Sequence, residues 1–223
     1  MKKYKTSLIL NIIIFILVIV GTVFMLAGIK IMGEDIVLAN ASIEAFKFFT
    51  VDSNLLMGIA AAVFAYYDYL IITKRKKEIP AKVYALKHLA TVSVMLTFFV
   101  TVFYLAPFSE YEFLAFFRNS NLFFHLVVPI LSLITYVFFE KKSQGREVIL
   151  YGIVPMFLYS IFYILVYFFH TGNDPVRDYD WYKFMSGSVL RSIISITSVY
   201  LITYLISYAL WIFNKRDYKN KRE

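Results

Sequence analysis

Apolar residues gather along this chain into six long runs separated by short polar segments. The runs extend approximately from Leu8 to Ile29, Thr50 to Thr73, Val83 to Pro107, Asn121 to Phe139, Val148 to His170 and Ser186 to Phe213. Each approaches or exceeds the roughly 20 residues that a helix needs to cross about 30 Å of hydrocarbon. Apolar residues occupy every face of these runs, so no soluble amphipathic helix is expected. The longest polar interval, Lys30 to Phe49, leaves no room for an independent soluble domain. The pattern therefore predicts an all-α polytopic membrane protein in which residues 1–223 form a single six-helix transmembrane domain.

The cations test this division independently. Sixteen of the 23 Lys and Arg residues fall in the N-terminal segment, the second and fourth loops and the C-terminal tail, against five in the first, third and fifth loops. An excess that alternates with each crossing is what the positive-inside rule expects of a multi-pass protein of the cell membrane with both termini cytoplasmic. The net charge of +8 is then mostly a record of topology. Nucleic acid is not expected as a partner, because the basic clusters are small and scattered and no reader domain carries them.

Met1-Lys2-Lys3-Tyr4-Lys5 before an apolar run also resembles a secretory signal, with Ala39-Asn40-Ala41 as a small-residue cleavage pattern. The run is longer than a signal core of about 7–15 residues, and Lys30, Glu34 and Asp35 separate it from that site. A retained first helix is the expectation.

Composition agrees with the pattern: 60% of residues are hydrophobic, 17% are charged and 19% are aromatic. Cysteine is absent, which removes disulfides, thiolate nucleophiles and Cys-ligated metals. Three histidines remain, and no helix places two metal ligands at i and i+4, so neither a metal nor another cofactor is expected.

Sorted by depth, the polar residues converge on the outer leaflet. Thr50, Asp52, Ser53 and Asn54 open the second run; Asn119, Ser120, Asn121 and His125 open the fourth; His170 closes the fifth and is followed by Thr171, Asn173, Asp174, Asp178 and Asp180. His125 is expected one α-helical turn beyond Asn121 on the same face. Arg191 lies a few residues into the sixth run beside Ser188, Ser192 and Ser195, placed either to snorkel outward or to hold an anion. A hydroxyl, an imidazole, several amides and an acid at one depth on different helices are what an activated nucleophile with an orienting base requires. Taken singly, Thr50 and Ser53 read as helix caps or bonds back to the preceding turn, and His125 as a helix-to-helix hydrogen bond. At the opposite ends Lys87, His88 and Asp68 read as interface anchors or local ion pairs. Ser53-Asn54-Leu55 and Ser120-Asn121-Leu122 form a faint echo at the starts of two of the three runs that begin on the outer side.

Phe46-Lys47-Phe48-Phe49-Thr50-Val51-Asp52-Ser53-Asn54 resembles the threonine-bearing segment of the androgen-induced and androgen-dependent TFPI-regulating proteins, a family of six-span threonine hydrolases of animals. Asn121-Leu122-Phe123-Phe124-His125, with Pro129 following, resembles their histidine segment. His170-Thr171-Gly172 and then Trp181-Tyr182-Lys183-Phe184 is similar to a His-bearing segment that precedes an aromatic run there. Bacterial six-span proteins share these features and resemble the chain more closely. The resemblance implies Thr50 as nucleophile and His125 as its base, acting on fatty-acid esters.

The leading expectation is an intramembrane fatty-acyl ester hydrolase near the outer leaflet, with membrane lipids as partners. In it His125 takes the Thr50 proton, Asn54 or Asn121 donates to the oxyanion, and Asp52, His170 and Arg191 support or bind the substrate. A non-catalytic lipid-binding scaffold and a small transporter are the alternatives. A transporter should show polar residues at the midplane, whereas the centres of the first, second and fifth runs are nearly continuous apolar sequence.

Overall fold

The computed structural model describes residues 1–33, 43–108, 111–170, 179–185 and 188–219. Ala39-Asn40-Ala41 and the polar residues Thr171, Asn173, Asp174 and Asp178 lie outside these. The described chain is helical and contains no strand. Its six long helices are α1 (Lys2–Ala27), α2 (Phe49–Ile72), α3 (Ala81–Leu105), α4 (Ser120–Phe139), α5 (Glu147–Phe169) and α6 (Val189–Lys219). All six contain a stretch long and apolar enough to cross a membrane, making this a multi-pass membrane protein. The boundaries follow the apolar runs closely. The main differences are that α1 begins six residues earlier, taking Lys2, Lys3 and Lys5 into its first turns, and α6 runs on to Lys219.

The helices end where their residues demand it. Gly28 takes a left-handed conformation at the end of α1 (φ 63°), and its N–H bonds back to Met25 and Phe24. α4 is interrupted by two π-helical turns, Phe123–Val127 and Thr135–Phe139. The first precedes Pro129, whose missing N–H would otherwise bond the carbonyl of His125, four residues back. The expected α-helical stacking of His125 over Asn121 is therefore altered, because the turn that holds the histidine closes on i→i+5 bonds.

α3 is the most buried span and sits at the centre, packed against α2, α4, α5 and α6, while α1 closes the bundle against α2 and α4. Small residues allow the close approaches. A Cβ on Gly21 of α1 would lie 2.7 Å from the Phe124 ring of α4, and one on Gly152 of α5 would lie 2.4 Å from the Ser207 hydroxyl of α6. α1 and α6 expose apolar faces such as Ile9, Ile12, Ile193 and Ile194, as surfaces turned toward lipid do. The basic end of the bundle holds the start of α1 and the α2–α3 and α4–α5 connections; the far end holds the starts of α2, α4 and α6.

Candidate functional sites at the two ends of the bundle

At the far end, α2 and α4 are joined by Asn54. Its Nδ2 donates to the carbonyl of Thr50, one turn earlier, at 2.7 Å and to the carbonyl of Phe124 on α4 at 3.1 Å. The turn carrying Thr50 is thus tied to the residue next to His125. His125 is buried, and its Nδ1 lies 2.8 Å from the carbonyl of Phe116, in the 3₁₀ helix Phe113–Phe117. A carbonyl only accepts, so Nδ1 carries the proton and Nε2 is left with its lone pair in the neutral ring. Asn121 and Asn54 are fully buried, yet both polar atoms of the Asn121 amide and the Oδ1 of Asn54 have no hydrogen-bond partner. Orphaned polar atoms at such depth cost about 1–3 kcal/mol each, and a polar ligand group would relieve them.

The structure does not bring the Thr50 hydroxyl onto His125. That hydroxyl lies near the phenol of Tyr182, which accepts from the N–H of Phe49 at 3.1 Å. Desolvation among the surrounding rings pushes the Tyr182 phenol up to about 12, so it stays protonated. The aromatic run after α5 therefore folds back over the start of α2, with Trp181 Nε1 donating to Tyr159 and Tyr159 to the Lys47 carbonyl. No side chain caps the start of α2, and Ser53 bonds back to the preceding turn. Ser53 Oγ contacts the Thr97 hydroxyl of α3 at 3.1 Å and the Thr50 carbonyl at 3.0 Å.

The remaining candidates separate. Asp52 and Ser53 line a groove of about 270 Å³ between α2 and α5 whose other walls are apolar, including Phe49, Leu56, Pro155 and Phe162. Asn119 is structural: its side chain accepts from the N–H groups of Ile31 and Met32 and donates to the Gly33 carbonyl, pinning the connection after α1. His170 stacks on Tyr179 with centroids 3.6 Å apart. Arg191 is exposed on the first turn of α6. The cation that does border an apolar cavity near α4 is Arg118. Met32, Phe98, Phe117, Leu122 and Leu126 form most of that cavity's wall, and its volume is about 560 Å³.

At the basic end the structure reveals a second site that sequence reasoning missed. Lys87, His88 and Asp68 are not at the interface; all three are fully buried in the bundle. Lys87 Nζ donates to Asn11 Oδ1 at 2.5 Å and lies 3.4 Å from Glu140 Oε1, while Asn11 Nδ2 donates to the same Glu140 oxygen at 2.7 Å. Four helices thereby contribute, since Asp68 of α2 acts electrostatically on this pair. A signal existed: Asn11 is an amide inside an otherwise apolar run, and Lys87-His88 lies too deep in α3 for easy snorkelling. Asp68 makes no ion pair with Lys74 or Arg75, the cations nearest to it in sequence; Arg75 and Lys76 lie over the rings of Tyr69 and Tyr67.

Among the described residues no group of three or more His, Asp or Glu side chains is arranged to hold a metal ion. No family model, curated protein or solved structure matches the chain.

Proposed function

We propose that the protein is an intramembrane hydrolase of lipid acyl esters, in the cell membrane with both termini cytoplasmic and the far-end site in the outer leaflet. One observation carries this reading: unfilled, buried amide positions on Asn54 and Asn121 lie in the same helix pair as a histidine whose tautomer leaves Nε2 as a base. The resemblance of the Thr50 and His125 segments to the six-span threonine hydrolases supports the same assignment.

In this reading the Thr50 hydroxyl turns from Tyr182 toward α4 when an ester enters. Its oxygen attacks the carbonyl carbon while His125 Nε2 takes the proton, and an amide N–H of Asn121 stabilises the oxyanion. The proton then passes to the leaving alkoxide, and water repeats the sequence on the acyl-threonine. The two apolar grooves suit a substrate that arrives sideways from the bilayer, with Arg118 at the mouth of one of them.

Covalent labelling with a fluorophosphonate probe tests the proposal in detergent-purified protein. Labelling of the wild type that is lost in Thr50→Ala and in His125→Ala, with both variants folded by thermal denaturation, is the expected result. Absent labelling, or labelling unchanged by both substitutions, would reject it in favour of a non-catalytic lipid-binding role.

A further inference from the structure

One wall of the cavity beside α4 is built by a single short stretch of sequence. In Glu112-Phe113-Leu114-Ala115-Phe116-Phe117-Arg118 an apolar 3₁₀ helix is bracketed by an acid and a base. On its inner face Phe116 and Phe117 are buried against Leu122 and Leu126 of α4 and Val102 of α3. The bond from His125 to the Phe116 carbonyl fixes that face in place. The outer residues Phe113 and Leu114 are 46% and 70% exposed, so the cavity of about 560 Å³ that they help to line opens sideways toward lipid.

Arg118 is the one charged residue among those lining the cavity, and the rest of the wall is apolar. Its guanidinium is held loosely: Nη2 lies 3.4 Å from Glu112 Oε2, and the two side chains are 31% and 83% exposed. An ion pair of that kind contributes little and opens at little cost. On its other side the guanidinium passes beside Gly33, where a Cβ would lie 3.7 Å from Nη1. Asn119 sets this position. By accepting from Ile31 and Met32 and donating to the Gly33 carbonyl, it clasps the connection after α1 next to Arg118, and Met32 joins the cavity wall. A cation and an anion therefore stand together at the mouth of an apolar cavity whose volume falls within the roughly 300–1,000 Å³ of ligand pockets.

A ligand that matches all three features has an apolar chain, an anion at its head and a cation a short linker beyond. We propose that this cavity is a binding site for phosphatidylethanolamine, with one acyl chain between α3, α4 and the 3₁₀ helix, the phosphate on Arg118 and the ammonium on Glu112. A guanidinium meets phosphate oxygens in a two-pronged geometry, and a carboxylate accepts from the N–H groups of a primary ammonium. One loose ion pair is thereby exchanged for two charge-assisted contacts. The second acyl chain stays in the bilayer, outside the open side of the cavity. A fatty acid would set its carboxylate beside Glu112, and phosphatidylglycerol offers that acid no cation. Neither Thr50 nor His125 lines the cavity, so the inference stands apart from the hydrolase reading.

Native mass spectrometry of the detergent-purified full chain, given equal amounts of phosphatidylethanolamine, phosphatidylcholine, phosphatidylglycerol and a fatty acid of matched chain length, measures the preference. Phosphatidylethanolamine should be retained about 2- to 5-fold above the others, the worth of one exposed ion pair. Arg118→Gln should lower the retention of every phospholipid, and Glu112→Gln should remove the preference for phosphatidylethanolamine over phosphatidylcholine. Neither side chain is buried, so both variants should keep the wild-type Tm. A phosphatidylethanolamine with a photoreactive acyl chain should crosslink within residues 98–102, 113–117 or 122–126. The proposal is overturned by equal retention of all four lipids, by retention that neither substitution changes, or by crosslinks confined to other parts of the chain. Tighter binding of phosphatidylglycerol that Glu112→Gln strengthens would overturn it in favour of an anionic lipid, and strongest retention of the fatty acid in favour of a lone carboxylate ligand. Thr50→Ala should bind as the wild type does, so a failed labelling experiment at Thr50 rejects the hydrolase and leaves this result standing.

Discussion

The hydroxyl of Tyr136 on α4 lies 2.7 Å from Nδ1 of His88 on α3. Nε2 of the same ring lies 2.9 Å from Ser207 Oγ of α6, and that hydroxyl donates to the Ile149 carbonyl at 2.8 Å. Because Ser207 spends its proton on Ile149, it accepts from His88 Nε2–H, and Nδ1 accepts from Tyr136. This is the reverse of the tautomer that would activate Ser207, so His88 clamps three helices and is no catalytic base. His125, with Nδ1 protonated, has the opposite arrangement.

The clamp predicts a stability loss without a change in chemistry. Tyr136→Phe should destabilise the protein by about 1 kcal/mol, since one buried acceptor loses its donor. Thermal denaturation in detergent measures this, and probe labelling per folded molecule should stay at the wild-type level.

Asn54→Asp places an acceptor against the carbonyls of Thr50 and Phe124, where the native amide donates to both. A destabilisation of about 2 kcal/mol and loss of Thr50 labelling are expected. A stable variant that labels normally would separate the α2–α4 tie from the reaction.

Tyr182→Phe removes the phenol oxygen that lies near the Thr50 hydroxyl. If attack requires the threonine to turn toward α4, labelling should speed up, by no more than the roughly 10-fold that one ordinary hydrogen bond is worth. Slower labelling would mean that Tyr182 holds the attacking geometry and does not oppose it.

Gly21→Ala drives a methyl into the buried ring of Phe124, one residue before His125. Overpacking of this kind costs about 1–3 kcal/mol. A lower Tm with diminished labelling is expected, because the Phe124 carbonyl that receives Asn54 must shift.

The orientation is testable because the native chain has no cysteine. Phe108→Cys lies on an exposed far-end turn and Lys77→Cys on an exposed basic-end turn. A membrane-impermeant maleimide should label the first in intact cells and the second only after permeabilisation; the reverse pattern would invert the assignment.

Six spans and their all-α character were legible in the chain, because hydropathy over a run of bilayer length is a local quantity that no long-range contact needs to complete. The echo of Asn54 and Asn121 was visible too, and both amides are fully buried near the starts of α2 and α4. Which polar residues share a chamber was not legible. Asn11, Asp68, Lys87 and Glu140 are far apart in sequence, and nothing in the local pattern around any of them names the others as neighbours. Only the packing of α1, α2, α3 and α4 around one point removes them from water and makes their charges a shared problem. In the same way Thr50 and His125 are two plausible residues until the tertiary structure decides their surroundings, the Tyr182 ring near one and the Phe116 carbonyl on the other. Rotation of each helix about its axis, and the π turn ahead of Pro129, set those partners. Both follow from contacts between helices, which hydropathy, symmetric around an apolar span, does not encode.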